Sequence, residues 1–312
     1  MFSVIEEKFR TLATYFIMKI LVTGANSQLA QSIKDIVAKY PNDYLFMDRD
    51  SLDITDREAV ASVLEAVKPD AVINCAAYTK VDMAEDEPDL AFAVNCKGVY
   101  NLSAGCAATG ALLVHLSTDY VFGGLANTPY SEDSNVDPLG IYGESKYQGE
   151  LAVAKSGCDY LIIRTSWLYS AYGNNFLKTM LNLMKTRETV KVVFDQVGTP
   201  TYAGDLAEMI LSVLSGGKLE KLEDHKGRIR ELFHFSNEGV CSWFDFATEI
   251  KKAADLNCCV APCHSSEFPS KVVRPAYSVL DKSKYCSTFG VGVPYWRDSL
   301  CKVFSQLRGN NR

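Results

Sequence analysis

Through the first half of the chain, short apolar runs alternate with longer stretches whose apolar residues recur at helical spacing. Residues 19–22 read as a buried strand, and residues 28–39 follow with Leu29, Ile33, Ile36 and Val37 on one helical face. Residues 44–47 form a second strand ending at Asp48, and residues 57–67 a helix closed by Lys68-Pro69-Asp70. A third strand at 71–74 precedes a helix over 90–109 that Gly110 stops. A fourth strand at 112–116 and a fifth at 160–163 complete the alternation. The second half is less regular: strands are expected at 191–194 and 232–235, helices near 202–215 and 243–254. Residues 216–231 mix both charge signs and read as an exposed loop.

Strands alternating with helices predict an α/β fold, a doubly wound parallel sheet of Rossmann type with helices on both faces. A smaller C-terminal substrate-binding lobe follows. The expected division is an N-terminal extension at 1–17, a dinucleotide-binding domain at 18–170, and a mainly substrate-binding lobe at 171–312. Some segments of that lobe are expected to return to the first domain. Residues 1–17 carry Glu6, Glu7, Lys8 and Arg10, so they lack the apolar core of a signal peptide and cannot span a bilayer. They read as a flexible or helical extension, or as a start codon placed too early.

Composition changes this picture little. The 312 residues are 47% hydrophobic and 22% charged, as ordinary globular proteins are. A net charge of -6 gives no general attraction to nucleic acid or an anionic membrane, so neither is expected as a partner. Ten scattered cysteines with no CxxC spacing fit free thiols in a reducing cytoplasm, and the isolated histidines define no metal site.

Two places carry candidate chemistry. Gly24-Ala25-Asn26-Ser27-Gln28-Leu29-Ala30 lies between the first strand and first helix, where backbone amides and a helix N-terminus can face a pyrophosphate. Only Gly24 of the three usual glycines is present. Ser27 takes the second position, where a side chain crowds the phosphates, and Ala30 the third. An ordinary turn capped by Asn26 or Ser27 explains the same residues. Asp48 stands where an acid meets the adenosine ribose, while Arg49 suits a 2′-phosphate, so NADH and NADPH both remain open. The small residues of Asn74-Cys75-Ala76-Ala77 allow either a flat ligand or close helix packing.

The second place is Tyr142-Gly143-Glu144-Ser145-Lys146, which puts a phenol and an ammonium on one helical face. The cation is expected to lower the phenol pKa, so that Tyr142 can protonate a forming alkoxide. Thr118 or Ser117 would bond the same oxygen. A second Tyr-x-x-x-Lys, Tyr15 with Lys19, runs into the first strand and reads as accidental. His115, within an apolar strand, reads as a core histidine, and Trp243 and Trp296 as packing residues of the smaller lobe.

Several motifs in fixed order then resemble a known family. They are Ala76-Ala77-Tyr78-Thr79-Lys80-Val81-Asp82, Ser117-Thr118-Asp119-Tyr120-Val121-Phe122, Tyr142 with Lys146, and Arg164-Thr165-Ser166-Trp167-Leu168-Tyr169. Residues 195–201 and 274–278 continue the match, which runs from Met18 to about Leu300. The chain resembles the extended short-chain dehydrogenases, and within them the dTDP-4-dehydrorhamnose reductases.

The resemblance implies reduction of the C4 keto group of dTDP-4-dehydro-L-rhamnose to dTDP-L-rhamnose, a polysaccharide precursor, with NADPH or NADH as cofactor. It implies that Thr118, Tyr142 and Lys146 are catalytic: Tyr142 the proton donor, Lys146 on the nicotinamide ribose, and Thr118 the carbonyl anchor. Ser27, Gln28, Leu29, Asp48, Asp53, Ile54, Ala77, Tyr78 and Thr79 would join Gly24 in lining the cofactor, and Thr118, Asp119 and Trp167 the sugar. Ser27 and Ala30 depart from the family's glycines, which bears on cofactor affinity and not on reaction type. A homodimer and a Mg2+ ion at a subunit interface stay open.

A dehydratase of the same superfamily would want a second carboxylate after Asp119, where Tyr120 stands. The rival outside enzymology is a silent cofactor-binding regulatory subunit like the methionine adenosyltransferase beta subunit. The altered glycine turn favours it, and the intact Thr118, Tyr142 and Lys146 oppose it.

Overall fold

The computed structural model describes residues 17–215, 217–268 and 270–309. The expected extension therefore lies, except for Ile17, outside the described residues. The first half alternates as its sequence pattern dictates: β1 (Lys19–Thr23), α1 (Gln28–Ile36), β2 (Asp43–Met47), α2 (Arg57–Val67), β3 (Ala71–Asn74), α3 (Val99–Thr109), β4 (Leu112–Thr118), α4 (Ile141–Lys155) and β5 (Tyr160–Thr165). The second half adds α5 (Phe176–Thr186), β6 (Thr189–Val193), α6 (Ala203–Leu214), β7 (Arg230–His234), α7 (Trp243–Ala253), β8 (Cys259–Cys263), α8 (Ser283–Phe289) and α9 (Trp296–Gly309).

Six strands form one parallel sheet in the order β7-β5-β4-β3-β1-β2. The chain moves outward from β1 to β2, then returns past β1 to β3. That reversal opens a crevice at the carboxyl ends of β1 and β3. Both sheet faces are covered, because successive strand residues point to opposite sides. Ile20, Val22, Ile73, Val114, Leu161 and Ile163 meet Leu29 and Ile33 of α1 and Leu206 and Ile210 of α6. Leu21, Val72, Leu113 and Ile162 meet Val60 and Leu64 of α2 and Val99 and Leu102 of α3. A separate core in the second half joins Tyr169, Leu177, Val190, Phe246, Trp296 and Leu300, beside the parallel pair β6 and β8.

Two sequence expectations need correction. The helix expected over 90–109 is interrupted: Pro88–Phe92 is followed by a π-helical turn at Ala93–Gly98 before α3 begins. The segment 216–231 is not all exposed loop, because Leu222 and Ile229 bury against the sheet core and β7 starts at Arg230. The strand expected at 232–235 forms over Arg230–His234 and joins the main sheet beside β5.

Candidate active site

At the crevice, Gly24 turns the chain with φ +63°, and its missing Cβ would lie 2.7 Å from the Ala76 nitrogen. Only glycine permits that contact of the β1 turn with the end of β3. Ser27, expected to crowd the phosphates, caps the first helix. Its side chain is folded back as the N-cap of α1, accepting a bond from the Ala30 amide at 3.3 Å. The remaining first-turn amides of α1 have no intrahelical acceptor and make a seat for an anion. Ala30 is fully buried in the sheet core.

Asp48 follows β2 at the crevice rim. Its carboxylate accepts from the Ser51 amide and hydroxyl at 3.0 and 2.8 Å, which hold its pKa below the usual value. Arg49 pairs with Asp53 at 3.1 Å, an exposed i,i+4 contact. Burial pushes the Asp53 carboxyl up, but the Thr55 amide and hydroxyl, with Arg49, bring the net shift below normal. Ile54 is buried, and its carbonyl accepts from Asn101 at 3.0 Å.

The segment after β3 is held by a residue that sequence reasoning missed. Asn95, buried in the π-helical turn, receives the Tyr78 amide at 2.9 Å and donates to the Tyr78 carbonyl at 3.0 Å and to Ser145 at 3.1 Å. It thus ties residues 77–79 to α4. The Tyr78 hydroxyl points to Glu87, at 2.7 Å. A single asparagine in an apolar helical stretch gives no signal of this in one sequence.

Two glycines let helix α4 sit close, Gly143 against the end of β4 and Gly149 against the π-helical turn. A Cβ on Gly143 would overlap the Tyr120 carbonyl oxygen, and one on Gly149 that of Asn95. The Glu85 carboxylate receives the first α4 amide, Ile141, at 2.8 Å. Tyr142 therefore stands over the end of β4. Its phenol faces the Thr118 hydroxyl, and its ring packs edge-on against Tyr120 at 5.5 Å. Thr118 also bonds Asp119 at 3.1 Å, whereas Ser117 is buried with no hydrogen-bond partner among the described residues. Of the two hydroxyls considered from sequence, Thr118 is the one near the phenol.

The expected depression of the Tyr142 pKa is not found. Burial raises it, the Asp119 and Tyr120 side chains add to the rise, and only Thr118 opposes them. The Lys146 ammonium is instead buried against the Leu116 carbonyl of β4, at 2.5 Å. Burial lowers its pKa to about 8, against the pull of Glu150. Glu150 in turn grips Arg164 of β5 in an enclosed pair. Sequence reasoning missed Glu150, although it stands one further turn along from Tyr142 and Lys146.

Asp119 is buried, and burial raises its pKa to about 6 despite the Ser278 and Thr118 hydroxyls. Trp167 has φ +46°, a conformation uncommon outside glycine, and stacks on Trp243 at 3.5 Å. Trp243, like Trp167, packs against the core of the second half, as expected of it. His115 is a core histidine as expected, fully buried and 3.2 Å from the Asn74 amide nitrogen. Arg274, also missed, pairs with Asp82 at 2.7 Å. Among the described residues no cysteine is disulfide-bonded, no cluster of His, Cys, Asp or Glu is placed to hold a metal ion, and no helix is long and apolar enough to cross a membrane.

A crevice with an anion seat, facing a buried phenol and hydroxyl, can reduce or oxidise a carbonyl beside a bound dinucleotide. Comparisons agree with that chemistry. Residues 18–308 match the model of the RmlD substrate binding domain. A dTDP-4-dehydrorhamnose reductase of Sinorhizobium fredii is 39% identical over 290 residues, covering 92% of this chain and 96% of that protein. The crystal structure of a dTDP-4-dehydrorhamnose reductase from Bacillus anthracis in complex with NADP is 39% identical, with a TM-score of 0.86. The similarity covers 93% of this chain and all of that one. A Clostridium acetobutylicum dTDP-4-dehydrorhamnose reductase structure has the same coverage, 42% identity and a TM-score of 0.86.

Proposed function

The chain belongs to the RmlD substrate binding domain family, among relatives that are dTDP-4-dehydrorhamnose reductases, and from that premise we propose how its own residues carry out the reaction. It is a nicotinamide-dependent oxidoreductase that reduces the C4 keto group of dTDP-4-dehydro-L-rhamnose to dTDP-L-rhamnose. The observation that carries the assignment of roles is the meeting of Thr118 and Tyr142 at the end of β4, beside the β1–β3 crevice.

The cofactor residues fit a dinucleotide. Gly24 leaves no side chain in the turn, the start of α1 offers amides, and Asp48 stands at the rim. A reduced nicotinamide supplies the hydride when bound. Thr118 donates to the ketone oxygen and fixes the face presented. Tyr142, kept protonated by burial, gives its proton to that oxygen as it becomes an alkoxide. Lys146 holds a positive charge beneath the site and offers its remaining ammonium protons to the cofactor ribose.

In this reading Asp119 and Trp167 face the sugar. Residues 18–170 mainly hold the cofactor, residues 171–312 mainly close over the substrate, and β7 and α6 return to support the sheet. Asp48 and Arg49 together accommodate NADH or NADPH. The working location is the cytoplasm, and the meeting of Thr118 with Tyr142 opposes the silent regulatory subunit. The test is cofactor oxidation at 340 nm by the purified protein: it should require the keto-sugar nucleotide. Oxidation at equal rate without the sugar, or none with it, sinks the reading.

A further inference from the structure

Gln28 is the first residue of α1, and its side-chain oxygen is held by one loop from the second half of the chain. Ser170 Oγ donates to it at 3.0 Å and Asn175 Nδ2 at 2.8 Å. Gly173 of the same loop, at φ +59°, packs so tightly that a Cβ there would lie 3.1 Å from Gln28 Cγ. Two turns along α1, the Tyr172 hydroxyl bonds the Asp35 carboxylate at 2.8 and 2.9 Å. Asn175 also fixes the loop internally. Its amide donates to the Ser170 and Tyr172 carbonyls, and its oxygen caps α5 through the Lys178 amide at 3.1 Å.

Both ends of this loop enter one aromatic stack. Trp167, three residues before Ser170, lies on Trp243, and Phe176, next to Asn175, meets the same Trp243 ring at 4.5 Å. The positive φ of Trp167 is a strained state that persists only where its surroundings fix it. A loop pinned at its middle to α1 and at both ends to one stack transmits displacement between them.

We propose that Gln28 is a positioning residue coupling occupancy of the cofactor crevice to the aromatic wall of Trp167, Trp243 and Phe176. The inference rests on the cofactor reading above. A diphosphate drawn to the start of α1 shifts the first turn or the Gln28 amide, and Ser170 and Asn175 follow because they are bonded to it. By linkage, whatever seats on the aromatic wall tightens the crevice in return.

The probe is ADP-ribose, which has the diphosphate but no nicotinamide ring, so it neither touches the sugar site through that ring nor absorbs tryptophan emission. At saturation it should change the tryptophan emission of the wild-type protein, and Trp167→Phe should remove most of the change. Gln28→Met keeps the length without the acceptor and should also remove it, while calorimetry still detects ADP-ribose binding. Gln28→Glu, which retains acceptor oxygens, should restore at least about half of the signal at saturation. In turnover at saturating cofactor, Gln28→Met should raise the KM for the sugar nucleotide about fivefold or more.

Ser170→Ala removes one of the two bonds and carries the same expectation in reduced form should Gln28→Met not fold. An emission change that persists in saturated Gln28→Met overturns the coupling, as does wild-type protein that binds ADP-ribose silently. Failure of the wild-type protein to bind ADP-ribose at all overturns the cofactor reading itself, and the coupling with it.

Discussion

Glu150 and Arg164 face each other through both carboxylate oxygens, at 2.9 and 2.7 Å, in the interior between α4 and β5. One helical turn away on α4 is Lys146, so the pair lies directly behind the cation of the site. Removing one partner leaves a buried charge alone. Glu150→Gln should cost about 3–5 kcal/mol, and replacing both residues with apolar side chains of similar volume should cost much less. Urea melts of the single and double variants measure this; equal losses would show that the pair is not the source.

Tyr142→Phe removes the proton donor and keeps the ring that packs on Tyr120. Turnover should fall by about 10²–10⁴-fold while the dissociation constant for NADP+ changes little. Steady-state rates beside a calorimetric titration separate the two quantities. Near wild-type turnover would remove Tyr142 from the mechanism.

Lys146 is charged below its pKa of about 8 and neutral above it. With the cation required at the cofactor ribose, kcat/KM for cofactor should fall as pH rises through that value. Glu150 favours the charged form, so Glu150→Gln, where it folds, should move the falling limb to lower pH. A profile flat to about pH 10 would mean that the charge is not needed.

Asp119 has its folded pKa raised to about 6 by burial, above its ordinary value of 3.8. The folded state therefore binds this proton more tightly than the unfolded chain does. The resulting stabilisation is full below about pH 4 and lost as pH rises through about 6. Asp119→Asn, which cannot ionise, should be more stable than wild type by about 3 kcal/mol at pH 7 and no more stable at pH 4. Melting temperatures at the two pH values decide it.

Ser27 serves as a helix cap, its side chain accepting from the Ala30 amide. Ser27→Gly should cost only a few tenths of a kcal/mol, and Ser27→Ala about 1 kcal/mol. Cofactor affinity in Ser27→Gly should match or exceed that of wild type. A large loss, read by titration, would assign the hydroxyl to the phosphate.

The alternation of strands and helices was legible because burial on both faces of a parallel sheet demands unbroken apolar runs such as Ile20-Leu21-Val22 and Leu112-Leu113-Val114. Tyr142 and Lys146 were legible because helical spacing is a local geometry. Thr118 was legible as a polar residue at the end of an apolar strand. Asn95 was not, since its three bonds reach residues 17 and 50 positions away. Nor was the loop that seats on Gln28, whose partners lie more than 140 positions further along the chain.

The electrostatics divide in the same way. By itself the sequence determined that a phenol and an ammonium share one face of α4, because a helix repeats every 3.6 residues whatever surrounds it. Only the tertiary structure decided where that ammonium goes. Packing on β4 turns Lys146 to the Leu116 carbonyl and encloses Tyr142 with Asp119, so burial and a neighbouring carboxylate, rather than the cation, set the phenol's pKa. Spacing fixes which side chains can meet; desolvation and charge depend on everything folded around them.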